Sequence, residues 1–210
     1  MWAEHLRPIA AAGYRVIAPD LPGFGDAPET SPRAPWNDVL ETLDALRVDR
    51  AALVGNSLGG AVAQRVAALA PQRVSKLVLI SAPAFDEPSE RLRAAWAAEE
   101  AAIERGDVDA AVAAVVDAWT LPGAPRELRE RVARMQRRAF ELQLAAGDLP
   151  EADDPLTEPP AVPTLTAAGE HDMPDFRPPS ASIIPGAGHL APLEQPEAFR
   201  ALLLDFLGGR

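Results

Sequence analysis

The stretch Gly55-Asn56-Ser57-Leu58-Gly59 decides the fold of this chain. The apolar run before it, residues 51–54, has the length of a buried strand. After it, residues 60–70 repeat Ala, Val and Leu at helical spacing and stop at Pro71. A serine at such a strand-to-helix junction sits on a sharp turn that strains its backbone and exposes its hydroxyl. We expect Gly55 and Gly59 to be glycines because strand and helix pass close together there.

Composition narrows the classes of protein. The 210 residues are 48% hydrophobic, which is enough for one domain, or for one domain with a small insertion. A net charge of −11 argues against nucleic-acid or anionic-membrane surfaces as partners. Because there is no cysteine, disulfides, thiol catalysis and cysteine-ligated metals are excluded. No signal peptide or apolar run of about 20 residues is visible. We therefore expect a cytoplasmic protein without membrane association, cofactor or metal.

The remaining pattern alternates strands with helices. Apolar runs without polar alternation predict strands at residues 14–18, 74–81, 162–168 and 182–184, in addition to 51–54. Helical patterns lie at residues 2–12, 36–46 and 196–207. Strands rich in Val, Leu and Ile that are separated by helices indicate a mostly parallel sheet covered on both faces, which is an α/β fold.

The middle of the chain differs from its two ends. Residues 85–150 are rich in Ala, Glu and Arg, with helical periodicity and no strand pattern. They could form a helical layer on the sheet or a helical cap over Ser57. We favour the cap because the segment interrupts the strand series on the side that the serine faces. The expected division is thus a core at 1–84, a cap at 85–150 and a second core part at 151–210. Candidates for lining a substrate pocket are Asn56, Trp96, Trp119 and Phe140.

A serine hydroxyl needs a base, usually histidine, to become a nucleophile near neutral pH. Of the three histidines, His5 lies in the first helix, where a solvated surface role is expected. His171 adjoins Asp172, and adjacent residues on a tight loop cannot easily pair with each other while the ring also reaches the serine. His189 follows a Gly-Ala-Gly stretch at a strand end, at the same sheet edge as Ser57. We therefore predict His189 as the base.

The base in turn needs a carboxylate to orient it. Asp172 lies just beyond the strand that precedes the His189 strand, so its side chain is expected at the same edge. Asp175, three residues farther along the same loop, is the competitor. Asp172 is favoured, and the order along the chain is then Ser, Asp, His.

With these residues in place, the chain resembles an α/β-hydrolase fold enzyme over nearly its whole length. Four segments carry the resemblance: residues 13–25, 54–60, 169–172 and 186–189. Within that fold it is most similar to the capped, metal-free esterases, enol-lactonases and carbon–carbon bond hydrolases. The resemblance implies Ser57 as nucleophile, Asp172 as acid, His189 as base and the Leu58 backbone N–H as an oxyanion donor. A serine at this position argues against haloalkane dehalogenase or epoxide hydrolase chemistry, for which the fold uses an aspartate.

Two departures from that family are visible. The chain begins inside the first helix of the fold, without the N-terminal strands and without the loop that supplies a second oxyanion donor. We expect a truncated chain, in which residues 14–18 and 51–54 either flank a gap in the sheet or pair directly. In addition, residues 173–180 contain three prolines, so they are too short and too rigid for a crossover helix.

The sequence thus predicts a serine hydrolase that forms an acyl-enzyme on a small ester or lactone. One alternative is carbon–carbon bond hydrolysis on the same three residues. Another is a catalytically silent scaffold of this fold that acts as a binding module. A dinucleotide site is a poor alternative, because the segment 55–60 lacks the G-x-G-x-x-G spacing. The oligomeric state is not predicted.

Overall fold

A parallel sheet of four strands forms the centre of the molecule. The computed structural model describes residues 1–83 and 87–209. Its strands are β1 (Ala51–Asn56), β2 (Val74–Ile80), β3 (Thr164–Gly169) and β4 (Ser182–Ile184), in the order β1-β2-β3-β4. All three neighbouring pairs are parallel. The predicted parallel α/β sheet is therefore confirmed.

Helices cover both faces of the sheet. The α-helices are α1 (Ala3–Ala11), α2 (Pro35–Ala45), α3 (Leu58–Leu69), α4 (Glu90–Glu104), α5 (Val108–Trp119), α6 (Arg126–Ala146), α7 (Ala191–Glu194) and α8 (Pro196–Gly208). Successive residues of β2 point to opposite faces. Leu77 and Leu79 pack with α2 and α3 in one core cluster, whereas Val78 and Ile80 pack with α1 and α8 in another. Burial on both faces explains why the β2 sequence has no polar alternation.

Three helices, α4, α5 and α6, stand between β2 and β3 in the chain and are called the helical insertion below. They share a core of small and branched residues, centred on Ala111, Val112 and Val116. The predicted boundary between residues 84 and 85 lies outside the described residues. In the described part of the chain, no helix combines the length and apolarity needed to cross a membrane.

The predicted strand at residues 14–18 is wrong. These described residues form no β-ladder, and β1 is an edge strand whose partner is β2. A cavity of about 1880 Å³ is lined by residues 14–18 and also by residues 51–56. The two apolar segments therefore flank a gap. An extended segment becomes a strand only when another strand satisfies its N–H and C=O groups.

The link between β3 and β4 contains no crossover helix among its described residues, as its three prolines predict. It contains a single 3₁₀ turn at Pro174–Phe176 and then enters β4, which runs parallel to β3. The ends of β1, β3 and β4 consequently point to one edge of the sheet. The loops that carry Ser57, Asp172 and His189 leave from that edge.

His5 does not have the solvated role predicted for it. It is 1% exposed, and its Nε2 donates a 2.9 Å hydrogen bond to the Pro192 carbonyl. Its ring packs against Trp2 and Phe199, with centroids at 6.0 and 4.9 Å. Because the Pro192 carbonyl can only accept, Nε2 carries the proton in this pair. Trp2 stands three residues before His5, so the two side chains lie on the same side of the helix. This spacing is the feature of the sequence that could have indicated the burial of His5.

Candidate active site

Ser57 occupies the sharp turn between β1 and α3. Its φ of 51° and ψ of −119° lie outside the conformations that non-glycine residues ordinarily adopt. The turn is held by the Ser57 N–H, which donates a 2.8 Å hydrogen bond to the Ile80 carbonyl at the end of β2. Strain at one serine, fixed by a neighbouring strand, is the geometry predicted for an exposed nucleophile.

The close approach of strand and helix involves Gly55 and Gly60. A Cβ at Gly55 would lie 2.2 Å from the Gly59 carbonyl group, and a Cβ at Gly60 would lie 2.7 Å from the Cβ of Ala82. At Gly59, by contrast, no heavy atom of the described residues beyond its chain neighbours and its own helix backbone lies within 4 Å of the added Cβ, and Gly59 lines the cavity. The prediction that Gly59 itself must be small for packing is therefore wrong, whereas Gly55 has the predicted packing reason.

The amide of Leu58 is the first N–H of α3, so no carbonyl of its own helix can accept from it. The positive end of the helix dipole adds to its attraction for negative charge. The Leu58 side chain is 48% exposed, so it is not packed in the core. The backbone at Leu58 is thus suited to bind an oxyanion beside Ser57.

Asp172 and His189 form a buried pair. The Asp172 Oδ1 lies 3.0 Å from the His189 Nδ1, and the two side chains are 0% and 5% exposed. The same oxygen accepts a 2.7 Å hydrogen bond from the Met173 N–H. Because an ionised carboxylate only accepts, Nδ1 carries the proton and Nε2 presents a lone pair. This is the tautomer that a general base requires.

The loops that carry this pair are joined through their backbones. The His171 N–H donates to the Ala187 carbonyl at 2.8 Å, and the Glu170 N–H donates to the Ile184 carbonyl at 3.1 Å. A Cβ at Gly169 would lie 2.0 Å from the Gly188 carbonyl oxygen. Glycine at the end of β3 therefore allows the His189 loop to cross directly over the Asp172 loop.

Two aromatic side chains hold the His189 ring. Trp119, at the end of α5, lies 4.5 Å away between ring centroids, and Phe176 lies at the same distance in an edge-on arrangement. Trp119 was predicted near the site, but Phe176 was missed. Phe176 is the one aromatic residue of the proline-rich link 173–180, and that feature of the sequence could have indicated its burial. In the structure Phe176 is 4% exposed.

Asn56 lines the cavity, and its side-chain amide also makes hydrogen bonds that hold the protein's own backbone. Its side-chain amide donates to the Ile80 carbonyl at 3.0 Å and to the His189 carbonyl at 3.1 Å, and the residue is 6% exposed. The amide nitrogen is therefore occupied by the protein's own backbone. The residue before Ser57 ties the nucleophile turn to the His189 loop.

Ser57 and His189 line the same cavity. Trp96 and Trp119 of the helical insertion line it too, as expected. Phe140 does not: it is buried in the core of the insertion, and its predicted pocket role is wrong. Glu99 also lines the cavity, where burial raises the pKa of its carboxyl group.

The two rival residues are engaged elsewhere. The Asp175 carboxylate accepts from the backbone N–H and the hydroxyl of Ser89, at 2.6 and 2.7 Å, at the start of α4. His171 is largely exposed, and its Nε2 lies 3.8 Å from a carboxylate oxygen of Glu170. The structure thus joins His189 to Asp172 and separates it from Asp175.

Ser57 shares the cavity with His189, but its hydroxyl is not hydrogen-bonded to the His189–Asp172 pair. Among the described residues, its hydroxyl makes no hydrogen bond, whereas the His189–Asp172 pair is formed. Hydrogen bonds between a serine and its base are often long without substrate. The described residues also contain no cluster of three or more side chains suited to hold a metal ion.

The strained Ser57, the His189–Asp172 pair and the parallel sheet define an α/β-hydrolase. The chain belongs to the alpha/beta hydrolase family, whose model matches residues 1–202. One curated relative is a putative carbamate hydrolase RutD of Variovorax paradoxus, which is 28% identical over 98% of this chain and 86% of that protein. Another is a 2-hydroxymuconate semialdehyde hydrolase of Pseudomonas sp. strain CF600, which is 41% identical over 45% of this chain and 36% of that protein.

Other curated relatives match at 36–46% identity, but those matches span only 23–30% of their own length. Among solved structures, Est816, described as an N-acyl homoserine lactone degrading enzyme, is 28% identical with a TM-score of 0.71. The similarity covers 98% of this chain and 87% of that one. These comparisons establish the family of this chain.

Proposed function

We propose that this protein is a serine hydrolase that cleaves a small ester or lactone through an acyl-enzyme. The observation that carries the proposal is the buried 3.0 Å contact between His189 Nδ1 and Asp172 Oδ1, on the cavity that Ser57 also lines. This contact leaves the His189 Nε2 free to accept the Ser57 proton.

In the proposed mechanism, His189 takes the proton of the Ser57 hydroxyl as its oxygen attacks the substrate carbonyl. The Leu58 N–H donates to the oxyanion of the tetrahedral intermediate. His189 then gives its proton to the leaving alkoxide, and the acyl group remains on Ser57. A water molecule deprotonated by His189 hydrolyses the acyl-enzyme and regenerates the serine.

We propose that the helical insertion acts as a cap that selects the substrate. Its Trp96 and Trp119 line the cavity with apolar surface, which suits a compact and partly apolar molecule. The similarity to Est816, a lactone-degrading enzyme by its description, supports a lactone as one substrate class.

We assign the Leu58 N–H as an oxyanion donor of this site, and one such donor typically contributes about 10²–10³-fold in rate. A scaffold of this fold that binds ligand without turnover is the rival to this proposal.

Carbon–carbon bond hydrolysis is the second candidate, because the 2-hydroxymuconate semialdehyde hydrolase is 41% identical over its matched part. The two activities separate on substrates. An ester hydrolase releases p-nitrophenol from p-nitrophenyl butyrate in a burst equal to the enzyme concentration. A carbon–carbon hydrolase instead bleaches the absorbance of a vinylogous 1,5-diketone.

The test of the proposed function compares Asp172→Asn with Asp175→Asn in hydrolysis of p-nitrophenyl butyrate. We expect Asp172→Asn to lose about 10³–10⁴-fold in kcat, because the wrong tautomer of His189 is stabilised. Asp175→Asn should stay within about tenfold, since Asp175 contacts Ser89 rather than His189. Equal losses in the two variants would overturn the assignment of Asp172.

A further inference from the structure

The carboxylate of Glu194 joins two segments that meet at His189. Its Oε2 accepts a 2.7 Å hydrogen bond from the Gly188 N–H, directly before His189. Its Oε1 accepts a 2.9 Å hydrogen bond from the Leu121 N–H, two residues beyond Trp119 at the end of α5. One side chain therefore holds the His189 loop and the helical insertion together.

The surrounding contacts make this junction specific. The Leu121 side chain lies 3.0 Å from the position of a Cβ at Gly188, so the two segments touch. Leu193, one residue before Glu194, is buried in the core of the insertion, while Pro192 accepts the hydrogen bond from His5. Helix α7 is thus fixed from both sides, and Glu194 projects from a rigid turn.

We infer that Glu194 is a positioning residue that sets the His189 ring against Trp119 through its two backbone hydrogen bonds. This inference rests on the proposed function, since it concerns the base of that reaction. Hydrogen bonds from N–H groups to an ionised carboxylate are shorter and stronger than neutral ones. A displacement of the base by about 1 Å can cost about 10²-fold in rate.

Glu194 touches the two backbone amides and not the substrate, so its loss should act on kcat rather than on KM. In Glu194→Gln, the side-chain oxygen can still accept from one amide, but its NH₂ group faces the other donor. One hydrogen bond is therefore lost with little change in volume. In Glu194→Ala both are lost.

The experiment measures ester hydrolysis, thermal unfolding and amide hydrogen exchange in the two variants. The control is Glu197→Gln, which changes an exposed glutamate on the first turn of α8. We expect kcat to fall about tenfold in Glu194→Gln and about a hundredfold in Glu194→Ala, with KM within about twofold. The Gly188 or Leu121 amide should exchange at least about tenfold faster in Glu194→Gln. Glu197→Gln should match the parent.

A double variant tests whether Glu194 acts through the insertion. In a protein that also carries Trp119→Leu, the effect of Glu194→Gln on kcat should be smaller, because the indole ring against which Glu194 positions His189 has been removed. Unchanged kcat in Glu194→Gln, or a loss that merely follows the unfolded fraction, would overturn the inference. If the parent hydrolyses no ester, the proposed function fails; unchanged exchange at both amides would then overturn the inference by itself.

Discussion

The side-chain amide of Asn56 donates a 3.1 Å hydrogen bond to the backbone carbonyl of His189. The residue before the proposed nucleophile therefore holds the loop of the proposed base. The two residues are 133 positions apart in the chain, and the hydrogen bond joins the end of β1 to the loop that follows β4, which are the two outer strands of the sheet. Its partner bond to the Ile80 carbonyl anchors the same amide on β2.

Replacing Asn56 tests that anchor. Asn56→Ala should lower the free energy of unfolding by about 1–3 kcal/mol, because two buried carbonyls lose a donor. The measurement is urea denaturation, with Asn37→Ala on the exposed face of α2 as the control. A variant as stable as the control would show that the Asn56 bonds contribute nothing.

The glycines of the turn give a matched pair. Gly55→Ala should destabilise the protein by about 3 kcal/mol or more, because the new Cβ meets the Gly59 backbone at 2.2 Å. Gly59→Ala should be neutral or stabilising by about 1 kcal/mol, because alanine favours helix and the position opens on the cavity. Thermal unfolding of both variants checks this, and equal destabilisation would contradict the packing described.

His5 should make stability depend on pH. Burial, the largest cause, lowers the pKa of His5 from its ordinary 6.5. The unfolded chain then binds a proton that the folded chain does not, so stability is full above pH 6.5 and falls as the pH drops below it. The loss is at most about 1.4 kcal/mol per pH unit, because one proton is involved.

Urea denaturation between pH 7.5 and 5.5 measures that slope. In His5→Gln the fall should be reduced, and in His171→Gln, which removes an exposed ring, it should stay as in the parent. If His171→Gln alone flattened the curve, the wrong histidine would have been assigned.

Asp175 should stabilise the start of the helical insertion. Burial raises the pKa of its carboxyl group, but the hydrogen bonds from the Ser89 N–H and hydroxyl outweigh it, so the net pKa lies below 3.8. A lowered acid pKa contributes stability that is present above pH 3.8 and is lost as the pH falls through the folded value. Asp175→Asn should therefore cost about 1–2 kcal/mol at pH 7 and less at pH 3.

The check is unfolding of Asp175→Asn and of the exposed control Asp153→Asn at both pH values. A cost that stayed the same at pH 3 would mean that the ionised carboxylate is not the stabilising form.

Much of the sheet was predictable because its signal is local. β2 is a short apolar run between turns, which is the pattern of a strand buried on both faces of a parallel sheet. The strand at residues 14–18 has the same local signal but lacks a partner, because the gap beside β1 separates the two segments. Strand formation depends on that distant partner, which no local pattern reveals.

Motif and chain order predicted that Asp172 and His189 lie side by side and that Ser57 and His189 share one cavity, whereas the catalytic roles of the three residues stay a prediction. The supporting contacts were not predictable, because they are set by tertiary packing. Burial of His5 depends on Phe199 of α8, and the role of Glu194 depends on the end of α5. Phe140 was predicted on the cavity, yet it is buried in the core of the helical insertion.

The most direct test of the central claim is covalent labelling of Ser57. The folded protein is incubated with a fluorophosphonate, and the modified peptide is located by mass spectrometry. We predict one label per chain, on Ser57, with none on Ser57→Ala and a rate at least about 10²-fold lower for His189→Gln. Folded protein that stays unlabelled, or Ser57→Ala that labels as fast as the parent, would contradict the claim that Ser57 is an activated nucleophile.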